Sequence, residues 1–351
     1  MNPGKPRIKD IALLAGVSIG TVDRVIHNRG EVSEKTSKKI RGLLKETNYS
    51  PNVMARALKS KKKYHIVSLL PDPTEVNSYW LKHPTGMAKA VAELQPFPIS
   101  LTEIRFDMQD EADFQSKTID VLKLNPDGVL LAPIFKTESI SFCSRLNRKK
   151  IPYVFIDGFI EKTGFLAYIG ENVYQSGKVA GQLTDMITPP AKDILVVNIA
   201  RDLRNVQHLK NRTMGFLSYF GKNSKNTGNK LDISIKEPDI HEVDHEMDNI
   251  MKKHPEVGAI FVSGSKSYLI ARYLEQRRFR NINLIGYDLV DSNVEYLKSG
   301  QTRFLLGQRP VEQTYIAIKK LFEYLAFERI PEKYEYLPVD IISSENVDFF
   351  I

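Results

Sequence analysis

The chain has 351 residues, 42% of them hydrophobic, with 50 Lys/Arg against 42 Asp/Glu and a single cysteine, Cys143. That length supports two or three packed domains, no run approaches the roughly 18 apolar residues of a membrane span, and one cysteine excludes an internal disulfide framework. Residues 1–63 hold 15 Lys/Arg and 5 Asp/Glu, a net of +10, and the rest hold 35 and 37, a net of −2; this is the pattern of a basic module for a polyanion on a near-neutral body.

In chain order, the first elements lie in "KDIALLAGVSIGTVDRVIHN", residues 9–28. Ile8, Ile11, Ala12 and Ala15 recur at helical spacing. Gly16 ends that helix, and the Ser18 hydroxyl caps a second one. Val22, Val25 and Ile26 give the second helix an apolar face, which leaves Ile19, Gly20, Thr21, Arg24 and His27 on its other faces. Ser33 caps a third helix whose apolar positions include Ile40, Leu43 and Leu44. Two short helices, a tight turn and a third helix to bury them make a helix-turn-helix unit; a plain three-helix bundle has the same apolar pattern. An export signal would need Lys5, Arg7 and Lys9 as its basic start, but Asp10 interrupts it and no small-residue cleavage site follows.

"IKDIALLAGVSIGTVDRVIHNRGEVSEKT" and "NYSPNVMARAL", residues 48–58, closely resemble the DNA-binding module and hinge helix of the LacI/GalR transcription regulators. The resemblance implies that Ile19, Gly20 and Arg24 face base edges in the major groove, where arginine pairs with guanine. It implies that Ser18, Thr21, His27 and Ser33 touch phosphates, which fix register rather than read sequence. It makes Leu58 the wedge by which paired hinge helices open the minor groove, with the small Ala55 beside it; Pro51 suits the first turn of that helix. Asp23 departs from the family's small polar residue, and a carboxylate there repels phosphate unless it turns to Arg24 or Lys9. Gly20 has no side chain to read a base, so specificity leans on Ile19 and Arg24. "KSKKKYH", residues 59–65, is either a solvated linker or a general phosphate attractor. The expected divisions are a helix-turn-helix domain over 1–50, hinge and linker over 51–63, and a body over 64–351.

From Tyr64 onward, short apolar strands alternate with amphipathic helices. The expected strands are "HIVSLLP", "ISLTEIRF", "DGVLLAPI", "PYVFID", "DILVVNI", "DISIKE", "GAIFVSG", "INLIGYD" and "TRFLLGQ"; "DEADFQSKTIDVLKL" and "SYLIARYLEQ" read as helices. That alternation means a parallel, doubly wound α/β architecture, and the strand count asks for two lobes. The first is expected over about 64–168 and 307–329, the second over about 169–306 and 334–351. Ligands of such sheets bind beyond the carboxyl ends of the strands. There "VFID" ends in Asp157, "IGYD" in Asp288 and "LLGQ" in Gln308, and the loop after "LLPDP" holds Tyr79 and Trp80. Two carboxylates, an amide and an aromatic pair suit a polyhydroxylated ligand.

The body resembles the same family's effector domain, a type I periplasmic-binding-protein-like fold, most closely at "RTMGF", "IGYD" and "GQRPVEQTYIAIKKL". The resemblance adds Arg212 to the expected ligand set of Tyr79, Trp80, Asp157, Asp288 and Gln308. Where many relatives carry Asn-Asp, this chain has "SGSKS", residues 263–267, and Gly158 stands where some sugar binders have arginine. Lys266 reads as a surface lysine at a helix start, or as a partner for a sugar acid or phosphate. "GENVYQSGKVAG" lacks phosphate-loop glycine spacing and a Ser/Thr after Lys178. No His/Cys cluster has zinc spacing, and no cofactor, metal or enzymatic activity is expected.

The reading is a cytoplasmic homodimer that binds double-stranded, pseudo-palindromic operator DNA and no membrane. It is expected to be a repressor controlled by a sugar, polyol or sugar derivative held between the lobes. The alternatives are an exported periplasmic-type sugar-binding protein, and an α/β enzyme fused to a DNA module. The strand-like "ENVDFFI" at residues 345–351 offers no tetramerising heptad.

Overall fold

The computed structural model describes residues 6–26, 30, 32–47, 49, 62–201, 207–236 and 239–351. The chain forms two compact units, residues 1–61 and 62–351.

The first unit contains α1 (Ile8–Ala15), α2 (Ile19–Ile26) and α3 (Glu34–Glu46). Ile11, Ala12 and Ala15 of α1 meet Val22 and Val25 of α2 and Ile40 of α3 in one buried cluster, so each helix is fixed by a single apolar stripe. The Arg7 amide donates to Asp10 Oδ2 at 2.8 Å to open α1. Gly16, at φ +70°, closes it in the left-handed region that glycine enters without strain. Ser18 Oγ accepts the Thr21 amide at 3.1 Å and Ser33 Oγ the Thr36 amide at 3.3 Å, as the capping pattern predicts. Lys39 Nζ donates to the Ala15 carbonyl at 2.9 Å, satisfying one of the open carbonyls that end α1.

The second unit is built on two six-stranded sheets. The first holds β1 (Tyr64–Pro71), β2 (Ile99–Phe106), β3 (Gly128–Leu131), β4 (Tyr153–Ile156), β5 (Ala167–Gly170) and β11 (Tyr334–Tyr336), in the order β11-β5-β4-β3-β1-β2, all parallel. The second holds β6 (Asp193–Ile199), β7 (Lys230–Ile235), β8 (Val257–Val262), β9 (Asn283–Tyr287), β10 (Phe304–Gly307) and β12 (Asp340–Ile342), in the order β12-β10-β9-β8-β6-β7, with β12 antiparallel. Every residue of β3, β4, β6 and β8 is buried, because helices cover both faces of a parallel sheet. In chain order these helices are α4 (His83–Glu93), α5 (Glu111–Lys123), α6 (Lys136–Arg148), α7 (Val173–Ile187), α8 (Gln207–Asn223), α9 (Ile240–Lys253), α10 (Ser267–Gln276), α11 (Asp291–Lys298) and α12 (Pro310–Phe327). α12 returns from the second sheet to pack on α4 and on β1, β3, β4 and β5 of the first.

The chain crosses between lobes after Gly170, between Gly307 and Pro310, and between Tyr336 and Asp340. Two expectations need correcting. The first sheet runs on to Gly170, past 168, and Tyr334–Tyr336 pairs with β5 rather than joining the second lobe. Tyr334 docks there against Phe159 and Phe165, a tertiary contact that three residues of pattern do not announce. The "ENVDFFI" segment is not a strand: Val347–Phe349 is a 3-10 turn, whose Val347 is buried beside Leu297 and Ile342. In each sheet the order reverses beside the first strand, β1 or β6, which opens a crevice at the carboxyl ends.

Candidate functional sites

In the N-terminal unit, Ser18, Ile19, Gly20, Arg24 and Ser33 are exposed and Thr21 is half-buried. Ile19 is 50% exposed although it stands beside the buried Val22, an apolar side chain left in water at the start of α2. The hydroxyls of Ser18 and Thr21 are bonded to each other at 3.0 Å, and those of Ser33 and Thr36 at 2.8 Å. Each helix therefore begins with a pair of oriented hydroxyls. Burial first, and the Asp23 carboxylate second, hold the Tyr49 phenol above its usual range. His27, Ala55 and Leu58 lie outside the described residues.

The larger unit carries the second site. After β1 a 3-10 segment, Glu75–Lys82, brings in Tyr79 and Trp80. Trp80 stacks on His83 with ring centroids 4.4 Å apart, and Tyr79 stands edge-on to both. Burial pushes His83 down to about 3, so at neutral pH Trp80 rests on an uncharged ring. Asp157 follows β4 at φ +65° and Asp288 follows β9 at φ +69°. The left-handed backbone costs a non-glycine residue roughly 1 kcal/mol or more and is best tolerated by short polar side chains such as aspartate.

Gln308, after β10, donates through Nε2 to both oxygens of Asp288 at 2.8 and 3.0 Å. Its Oε1 is buried without a partner. Arg212 projects from α8 and is 2% exposed. Its Nε and Nη2 both donate to Glu171 Oε1, the former at 2.6 Å, and its Nη1 donates to the Ser263 carbonyl at 2.8 Å. The guanidinium lies 4.0 Å over the Tyr287 ring.

The height of Arg212 is set by glycine. A Cβ on Gly177 of α7 would run into the Arg212 carbonyl, and one on Gly215 of α8 into the Tyr174 carbonyl. The two helices thus meet backbone to backbone, which explains the glycine of "RTMGF". Its phenylalanine, Phe216, stacks on Phe261 of β8 at 4.5 Å.

Tyr79, Trp80, Asp157, Arg212, Asp288 and Gln308 all line one cavity of about 120 Å³, with Met108, Ile134 and His208 among its other walls. The structure therefore brings together the whole ligand set expected from the sequence. Burial is the main cause that raises Asp157 to about 6 and Asp288 to about 7; Arg212 opposes it and Glu171 adds to it. Gly264, Ser265 and Lys266 complete one wall. Lys266 is half-buried there just before α10, not an outlying surface lysine. A Cβ on Gly158 would meet open space.

Two residues escaped the sequence reading. Glu171 is 2% exposed, and its second oxygen is buried with no partner. It is a strand-end carboxylate like the other two, hidden because β5 was not recognised. Gln313, 0% exposed, accepts the Asp157 amide at 3.0 Å and donates to the Gln308 carbonyl at 2.9 Å and to Tyr79 Oη at 3.4 Å. It ties cavity residues of both lobes to the first turn of α12, and it lies inside the "GQRPVEQTYIAIKKL" stretch. Among the described residues no group of His, Cys, Asp and Glu could hold a metal ion, and no helix is long and apolar enough to cross a membrane.

Residues 7–52 match the bacterial regulatory proteins of the lacI family, and residues 67–329 match the periplasmic binding protein domain. The chain belongs to the lacI family. A crystal structure described as that of a LacI transcriptional regulator from Bacteroides fragilis is 31% identical; the match covers 83% of this LacI-family chain and 100% of that one, with a TM-score of 0.74. The HTH-type transcriptional regulator RegA of Clostridium saccharobutylicum is 34% identical over 146 residues, 41% of this chain and 42% of RegA. The chain thus spans less than half the length of that relative. The ribose operon repressor of Lactococcus lactis is 24% identical over 97% of both chains. These relatives are named as regulators of transcription, not as enzymes.

Proposed function

We propose that this LacI-family chain is a cytoplasmic, sequence-specific DNA-binding repressor that acts as a homodimer and is controlled by a sugar-like effector. The observation that carries the reading is the shared cavity: Tyr79, Trp80 and Asp157 come from one lobe, Arg212 and Asp288 from the other, and Gln308 from a crossing between them. A ligand held by both lobes binds best at one angle between them, so its binding shifts the population of lobe arrangements. The carboxylates accept hydroxyl hydrogens, Arg212 donates, and Trp80 offers an aromatic face. Ile19 and Arg24 read bases, the hydroxyl pairs at Ser18 and Ser33 meet phosphates, and Leu58 wedges the minor groove. A periplasmic-type sugar-binding protein would share the cavity but has no use for the lacI-type module at residues 7–52.

The test uses the full chain. Trp80 is the only tryptophan in the sequence and lines the cavity, so its fluorescence reports occupancy directly. A thermal-shift screen of sugars, polyols and sugar acids finds the effector, since a ligand of the native state raises Tm by mass action. Gel-shift titrations on a pseudo-palindromic operator, with and without that compound, then read the coupling and its sign. A compound that quenches Trp80 yet leaves operator affinity unchanged would defeat the proposal.

A further inference from the structure

A cavity of about 360 Å³ adjoins the smaller one, with Tyr79, Asp288 and Gln308 in the wall between them. Two phenylalanines stand in its lining, Phe349 at 87% exposure and Phe350 at 37%. Scattered exposed apolar side chains are ordinary, but these two are neighbours on a fixed mount. Val347 is buried among Leu297, Leu305 and Ile342 of the second lobe, and Asp348 pairs with Lys298 at 2.7 Å. Asn346 Oδ1 accepts the Ser343 amide at 2.7 Å, and its Nδ2 donates to the Ile341 carbonyl at 3.1 Å. The Phe350 amide donates to the Val347 carbonyl at 2.9 Å. The turn at 347–349 is thus fastened to the second lobe, and the two rings ride with it.

The facing wall belongs to the first lobe. Ser78 and Lys82 come from the segment after β1, and Val311 from the first turn of α12. That turn is fastened to α4: the Thr314 hydroxyl donates to the His83 carbonyl at 2.8 Å, and a Cβ on Gly86 would strike the Val311 carbonyl. Ser78, Lys82 and Val311 are half-buried. Leu289, Val290 and Pro310 carry the apolar lining between the two walls. A change in lobe angle therefore moves a pair of wet aromatic rings toward or away from a partly wet apolar wall.

We propose that Phe349 and Phe350 form a latch carried by the second lobe, which closes on Ser78, Lys82 and Val311 of the first and sets the resting balance between open and closed lobes. Closure takes water off the rings and off the wall together, so the contact favours the closed arrangement. The methylene stem of Lys82 covers ring surface while its ammonium stays in water. The step from lobe angle to operator affinity rests on the reading of the chain as a DNA-binding regulator; the latch itself does not.

The test uses the full chain with no effector added. Ser78→Cys with Phe350→Cys places one thiol on each side of the cavity, while the buried Cys143 stays out of reach. Under diamide the pair should form a disulfide within one chain, read by intact mass after alkylation. In that oxidised protein acrylamide should quench the buried Trp80 less than in the reduced one. Phe349→Ser should do the reverse and raise the quenching, with Tm unchanged because the ring is exposed; Phe349→Leu should keep the wild-type value. Burying one ring face is worth about tenfold in an equilibrium, so the disulfide and Phe349→Ser should move operator affinity in opposite directions, about tenfold apart. A pair that stays reduced, a disulfide that joins two copies, or Phe349→Ser with wild-type quenching would overturn the latch. Quenching that responds as expected while operator affinity stands still would uphold the latch and overturn the regulatory reading beneath it.

Discussion

Replacing Glu171 by glutamine removes one charge and almost no volume from the floor of the cleft. Arg212 and Glu171 are each 2% exposed, and two of the three Arg212 bonds end on one Glu171 oxygen. Breaking a buried ion pair by taking one partner away costs roughly 3–5 kcal/mol. Two features lower that figure. Glutamine keeps an oxygen where Oε1 stands, so the hydrogen-bond geometry survives. The Glu171 charge also helps hold Asp157 and Asp288 above the usual carboxylate range; without it both ionise at lower pH and offset part of the uncompensated guanidinium. The expected loss is about 2–3 kcal/mol, a fall of roughly 3–5 °C in Tm for a unit of this size. Thermal unfolding is followed through Trp80 fluorescence at pH 7.5 and pH 5. The penalty should be larger at pH 5, where the two aspartates are more protonated and compensate less. A Glu171→Gln variant that melts within 1 °C of wild type at both values, or that suffers more at pH 7.5, would refute the argument.

The carboxyls of Asp157 and Asp288 titrate near 6 and near 7, above their unfolded range, so their contribution to stability is complete below about pH 4 and is lost as pH rises through those values. Melting of the body should therefore decline from pH 5 to pH 8, and Asp288→Asn should flatten the slope; effector affinity should run the other way, tightening with pH as the carboxylates ionise, and weaken in the variant without loss of operator binding. Gly215→Ala drives a methyl into the Tyr174 carbonyl and should cost about 1–3 kcal/mol in a urea titration, with weaker effector binding as Arg212 is pushed from its seat. Arg24→Ala should relax specificity at one base pair per half-site and cost roughly 1–3 kcal/mol, read by gel shift against a set of single-base operator variants. Leu58→Ala should weaken operator binding while the body keeps its effector affinity, checked by gel shift and calorimetry on the same preparation.

The parts of the molecule legible in sequence are those written in local pattern. The caps at Ser18 and Ser33, the glycine stop at Gly16 and the helix at residues 267–276 follow from one-residue chemistry or from a full period. The cavity residues Asp157, Asp288 and Gln308 were reachable because each closes an apolar run. What escaped was short or long-range. β11 and β12 have three residues each, too few for a period, and are held by partners far along the chain. Glu171 was passed over with β5, and Gln313 matters only because α12 folds back under Tyr79. The crossing at 337–339 depends on which sheet receives Tyr334, a choice made by aromatic neighbours that no spacing rule sees.

The return of α12 has a consequence for how the protein is made. Its Ala317, Ile318, Leu321 and Phe322 are buried, and it packs on four strands of the first sheet. All five of that sheet's early strands are complete by Gly170, but the helix that covers them is not synthesised until residue 327. At translation speeds of about 5–20 residues per second, the ribosome takes roughly 8–30 s to cover that interval. Through that time the nascent first lobe carries an uncovered apolar face while the whole of the second lobe is being laid down. A chain interrupted anywhere in between lacks the helix that packs on the first sheet. The closing of α12 over the waiting sheet is thus the event that covers the apolar face of the first lobe, and β11 then adds the sheet's edge strand.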